Sequence, residues 1–250
     1  MLIASKTSDA KRFEHKVHVN GHNYKLRQYV GNMPTQGQYV EGNEVNDNGL
    51  PQGFLVYQPP GSVTPPHFHE TNQFQVFVAG SGKLGKHFAS PLTVQYANSH
   101  TPYGPIEAGI NGVRYFTLRQ RWDPGAKYMP QSRERLRKGN QRTRIKANIP
   151  VSSEDQRRKR VSATCEPIID NETDGLGASI YYCGASDHLT LPNPSESGGQ
   201  YLVVASGAMF YNGEFYEQWS TIYVTRDEEA FEVHTGQEGL DLLLLQFPKF

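Results

Sequence analysis

His67 and His69 stand two residues apart in the segment GSVTPPHFHETNQFQVFVAG, Gly61 to Gly80. The residues that follow alternate as a strand does: Gln73, Gln75 and Phe77 fall on one side, Phe74, Val76 and Val78 on the other. A strand repeats every two residues, so both imidazoles leave one face, and Gln73 and Gln75 share it if the register holds through the intervening turn. Two imidazoles on one inward face are half of a metal site, since imidazole suits Fe, Ni, Cu and Zn alike. The same pair, taken alone, also describes two hydrogen-bonded histidines at a strand edge.

Such a face needs a sheet. Twenty-four Gly, 16 Pro, 14 Tyr and 12 Phe favour short strands and turns over helices. No long stretch repeats apolar residues at helical spacing. The best helical candidate, SRERLRKGNQRTRIK, is polar almost all round and broken by Gly139. The expected fold class is mainly β.

The spacing of Gly61, His67, His69 and Gly80 resembles the first signature motif of the cupin superfamily, G-x5-H-x-H-x3-E-x6-G, with Gln73 where the family has Glu. That resemblance implies an antiparallel jelly-roll barrel with a site in its mouth. It implies no particular reaction, because one fold hosts many. It also implies a further ligand from a later strand, in the region LTVQYANSHTPYGPI, Leu92 to Ile106. His100 is the histidine there. Matching T-P-Y to the family's x-P-H instead puts Tyr103 at the ligand position and His100 where Gly is expected. Neutral imidazole binds a metal without losing a proton, whereas a phenol of pKa ~10 must lose one, which favours His100.

The expected site is therefore His67, His69 and His100 around a divalent metal, with Gln73 as a weak or outlying ligand. Fe(II) is preferred; Ni, Mn or Zn would also suit. Tyr103 is the candidate catalytic residue, and Gln75, Phe77 and Tyr96, with Phe54 or Tyr57, would line a substrate cavity. The reaction this suggests is that of an oxidoreductase, a dioxygenase acting on a small anionic or aromatic metabolite. Two alternatives are a non-catalytic barrel that binds a sugar or hydroxy acid, and a metal-free isomerase using His and Tyr.

The second half repeats the first in weaker form. Gln73–Gly80 aligns with Gln200–Gly207 at an offset of 127, and EAGINGVRYFTLR resembles HTGQEGLDLLLLQFP. Two tandem cupin-type barrels are expected on this pattern. His67 and His69 map onto Pro194 and Glu196, so the second copy is read as degenerate, with His188 and His234 as surface or loop residues. The expected organisation is an N-terminal arm (1–50), a first barrel with the metal site (51–130), a basic connector (131–160) and a second barrel (161–250).

Charge bounds the partners. Residues 133–160 carry 11 basic and 3 acidic side chains, and residues 161–250 carry 2 basic and 14 acidic. The connector has no interleaved aromatics for base stacking, so docking on the acidic barrel is expected rather than nucleic-acid binding. The longest apolar run, Leu240 to Phe247, is too short to span a bilayer. The first thirty residues lack the apolar core of a signal peptide, and Cys165 and Cys183 lack metal-binding spacing. The expectation is a cytoplasmic protein without membrane partners, paired as a homodimer through its arm, with Cys183 a buried free thiol.

Overall fold

The computed structural model of the chain describes every residue except Thr35, Asn140 and Phe250. It divides into two compact units: Phe13–Ile149, and Met1–Arg12 together with the residues from Pro150 onward. Both are built from antiparallel strands, as expected.

In the first unit the sheet runs, in spatial order, Thr143–Lys146, Thr93–Ala97, Gln73–Leu84, Ile106–Arg119, Gln52–Gln58, His22–Gly31 and Glu14–Val19. Asn20 and Gly21, both at positive φ (45° and 80°), join the last two. An Asn-Gly pair is the preferred two-residue hairpin connection, because each residue tolerates the left-handed region. The inward face packs Val17, Val19, Tyr24, Leu26, Phe54, Val56, Phe77 and Tyr115 into one buried cluster. A short ribbon, His67–Phe68 against Lys127–Tyr128, lies outside this sheet.

The other unit repeats the plan. Gln200–Tyr211 pairs with Glu232–Gln246 as Gln73–Leu84 pairs with Ile106–Arg119, and Gly207 opposes Leu240 as Gly80 opposes Val113, at the same offset of 127. Gly80 and Gly207 have φ of 73° and 75°. A Cβ on Gly80 would lie 2.1 Å from the Gly112 carbonyl oxygen, and one on Gly207 would lie 2.0 Å from that of Gly239. Both bends therefore require glycine on two counts, conformation and space. The inward face of this unit is mostly aliphatic, with Leu202, Val204, Met209, Ile222, Leu240, Leu242 and Leu244 buried together beside Tyr216 and Phe231. Positions 194 and 196 fall in a single 3-10 turn, Pro194–Glu196.

The expected boundaries need correction at both flanks. Residues 1–50 do not form an arm: Leu2–Ser5 pairs with Thr221–Val224, while Glu14–Val19 and His22–Gly31 extend the first sheet. The argument for a homodimer through a free arm loses its ground. Residues 131–160 are not a uniform connector either. Thr143–Lys146 pairs with Thr93–Ala97, so the helical candidate became a 3-10 turn (Arg133–Arg135) and a strand. Its alternating polar residues suit an exposed edge strand as well as a polar helix, and the sheet supplied the partner. Glu154–Arg158 is helical, with a capping box at Ser153 and Gln156. Arg157 of this helix donates to the Glu238 backbone carbonyl at 3.1 Å, and Arg160, just beyond it, lies 3.4 Å from the fully buried Asp241. Cys183 is buried and unpaired, and burial raises its thiol to about 12. Among the described residues no helix is long and apolar enough to cross a membrane.

Candidate functional site

Sheet register assembles the site. Arg119 opposes Gln73, Thr117 opposes Gln75, and Tyr115 opposes Phe77, and directly opposed residues in antiparallel strands present the same face. His67 exchanges both backbone hydrogen bonds with Tyr103, at 3.1 and 3.0 Å. That bridge sets the Tyr103 ring 4.5 Å from the His67 ring, while the two imidazoles lie 5.2 Å apart and nearly perpendicular. His67, His69, Gln75, Tyr103, Thr117 and Arg119 line one cavity.

Hydrogen bonds fix both imidazoles. Nδ1 of His67 lies 2.8 Å from the Pro65 carbonyl oxygen, and Nδ1 of His69 lies 2.7 Å from Asp123 Oδ1. Both partners are acceptors, so each Nδ1 carries the proton and each Nε2 is the unprotonated nitrogen. Asp123 is held in turn by the backbone N–H groups of Glu70 (2.8 Å) and Gly125 (2.9 Å). Although burial opposes ionisation, His69, Arg119 and these contacts keep its carboxyl well below the usual range. Burial, aided by His69 and Arg119, lowers His67 to about 3. Burial lowers His69 as well, with Arg119 adding to the shift and Asp123 opposing it. Burial raises Tyr103, so its hydroxyl keeps its proton.

Arg119 is the residue around which the rest is arranged, and the sequence reading missed it. Its Nε donates to Gln73 Oε1 at 3.1 Å and its Nη1 to Gln52 Oε1 at 2.8 Å. Nη2 rests on the His69 ring, 3.0 Å from Nε2 and 3.1 Å from Nδ1. Asp123 lies 3.8 Å from Nη1. The counter-ion is fully buried and does not line the cavity, whereas Arg119 does. Arg119 thus puts a cation on the cavity wall, with its counter-ion Asp123 behind it. Two signals were available: a cation at the inward parity of Tyr115, Thr117 and Arg119, and the turn sequence Asp123-Pro124-Gly125.

The candidates from sequence divide into two groups. His67, His69, Gln73, Gln75 and Tyr103 converge. Gln73 is the bridge between its Arg119 contact and the Tyr103 hydroxyl, to which its Nε2 donates at 2.5 Å. Phe77 shares their face but packs on Tyr115 in the core, ring centres 5.1 Å apart. His100 and Tyr96 do not join them. His100 has φ 55°, its ring packs on Phe68 at 5.5 Å, and Nδ1 faces the Arg137 backbone N–H at 3.4 Å. It occupies the left-handed position where the cupin pattern has Gly, which is why Tyr103, and not His100, reaches the imidazoles. Tyr96 opposes Phe74, on the outward parity, and its ring packs there at 5.0 Å.

These residues do not fit a divalent cation. Among the described residues no group of three or more His, Cys, Asp and Glu side chains is gathered to hold one. The oxygen of Gln73 accepts from Arg119, and a guanidinium rests on the second imidazole. A dication here would meet the Arg119 charge in a low-dielectric cup with no carboxylate facing it.

No family model matches the chain, and no curated protein matches it. Solved structures do. A protein of Nostoc punctiforme assigned as a dioxygenase superposes with TM-score 0.65 at 10% identity, over 100% of this chain and 84% of its own. Oxalate decarboxylase of Bacillus subtilis gives 0.57 at 13%, over 99% and 77%. Pirin YhhW of Escherichia coli, in complex with nickel(II), gives 0.54 at 10%, over the whole of both chains. These neighbours are cupin-fold proteins, and the chain has that fold.

Proposed function

We propose that the first unit is a metal-free cup that binds a small organic carboxylate. Arg119 carries this reading: a buried guanidinium, oriented by Gln73, Gln52 and Asp123, lines a cavity whose other polar groups are neutral. A guanidinium is the side chain best shaped to take a carboxylate. The unprotonated Nε2 of His67 can accept from a ligand hydroxyl, and the Tyr103 hydroxyl can donate to a ligand oxygen. A His67 pKa of about 3 makes the ring a weak base near neutral pH, so binding is better supported than acid–base turnover.

A second reading, the metal-dependent dioxygenase, is favoured by one observation. Both imidazoles hold the tautomer a metal ligand needs, each with Nδ1–H tied to an acceptor. Against it stand the missing third donor and the Arg119 charge.

Titration calorimetry of exhaustively chelated protein with propionate and lactate tests the proposal. Saturable binding by wild type, lost in Arg119→Gln, supports it. Absence of binding by either acid, or equal binding by the variant, overturns it.

A further inference from the structure

Gln75 lines the same cavity, is only 3% exposed, and its Oε1 has no hydrogen-bond partner among the described residues. A buried amide oxygen without a partner is costly unless something supplies one. We infer that Gln75 accepts from a hydroxyl on the carbon next to the ligand's carboxylate, so that the preferred ligand is a short 2-hydroxy acid. This rests on the carboxylate reading above and narrows it.

Register supplies the spacing. Gln73 opposes Arg119 and Gln75 opposes Thr117, so Gln75 sits one inward step, about 7 Å, along the strand from the Arg119 contact. A carboxylate held by the guanidinium places a substituent on its neighbouring carbon about 3 Å further on, and a hydrogen bond of about 3 Å closes the gap. The final torsion of glutamine is soft, so Oε1 can turn to accept from a ligand hydroxyl. Thr117, beside Gln75 on the opposing strand, narrows the same wall.

Size sets the rest. The cavity offers only about 70 Å³ to the centre of a water molecule, which suits a short acid.

The experiment compares lactate, pyruvate and propionate, similar in size and charge, against wild type and Gln75→Met. Wild type should bind lactate about tenfold more tightly than propionate or pyruvate, the worth of one hydrogen bond. Gln75→Met should bring the three within about twofold of one another, with folding checked separately by circular dichroism and by urea unfolding. Equal binding of propionate and lactate by wild type overturns the inference and leaves the carboxylate reading standing. So does a preference that survives in Gln75→Met. Failure of all three acids to bind wild type overturns both. If the variant does not fold, the wild-type series decides alone.

Discussion

Nε of Arg119 donates to Oε1 of Gln73 at 3.1 Å, so the amide in the glutamate position of the cupin motif is engaged by a cation of the protein itself. A glutamate there would place a second carboxylate beside Arg119, on the cavity side. An amide orients the guanidinium without adding a charge, while Asp123 balances it from behind.

Removing that balance should be costly. Asp123→Asn leaves Arg119 in a buried cup without its counter-ion, and breaking such a pair costs about 3–5 kcal/mol. Trp122 lies in this unit and Trp219 in the other, so urea unfolding followed by Trp122 fluorescence in a Trp219→Phe background measures it. Adding Arg119→Gln should restore part of the loss, giving a coupling energy by double-mutant cycle; strictly additive losses would contradict the pairing.

Acid should weaken this unit through His67. Its folded-state pKa, about 3, is below the unfolded value near 6.5. The unfolded chain therefore binds more protons between about pH 6.5 and 3, and stability falls as pH falls through that window. Above it both states are neutral and the contribution is constant. Wild type should lose more urea resistance between about pH 7.5 and 5 than His67→Gln does. Equal losses would show that the ring is not held neutral.

Gly80→Ala and Gly207→Ala should each destabilise their own unit by about 1–3 kcal/mol, from the positive φ alone, with the carbonyl clash adding to it. Trp122 and Trp219 report the two transitions separately. A neutral substitution at either position would deny that the two bends are equivalent.

His100→Gly should leave acid binding within about twofold and stability within about 1 kcal/mol. The φ of 55° suits glycine, which offsets the lost packing on Phe68. Loss of binding in calorimetry would return His100 to the site.

The strands, the duplicated plan and the convergence of His67, His69, Gln73 and Gln75 were legible because a period of two fixes which side chains share a face. Arg119 was not. Its parity was readable, but a cation at an inward position is ordinarily an error of register, and only pairing with Gln73 shows that it is intended. Asp123 reaches His69 across 54 positions of chain, a contact that no local pattern encodes. His100 misled for the opposite reason: residue type suggested a ligand, while its backbone conformation, the property that placed it, has no side-chain signature. The flanks were misread because an edge strand such as Thr143–Lys146 takes its structure from its neighbour.

Elemental analysis of protein purified without chelator or metal-affinity resin, beside a His67→Ala, His69→Ala double variant, tests the metal-free cup most directly. The account predicts far less than one metal per chain in both, because the site lacks a third donor. Near-stoichiometric Fe, Ni, Mn or Zn in the wild type, lost in the variant, would contradict it and restore the dioxygenase reading.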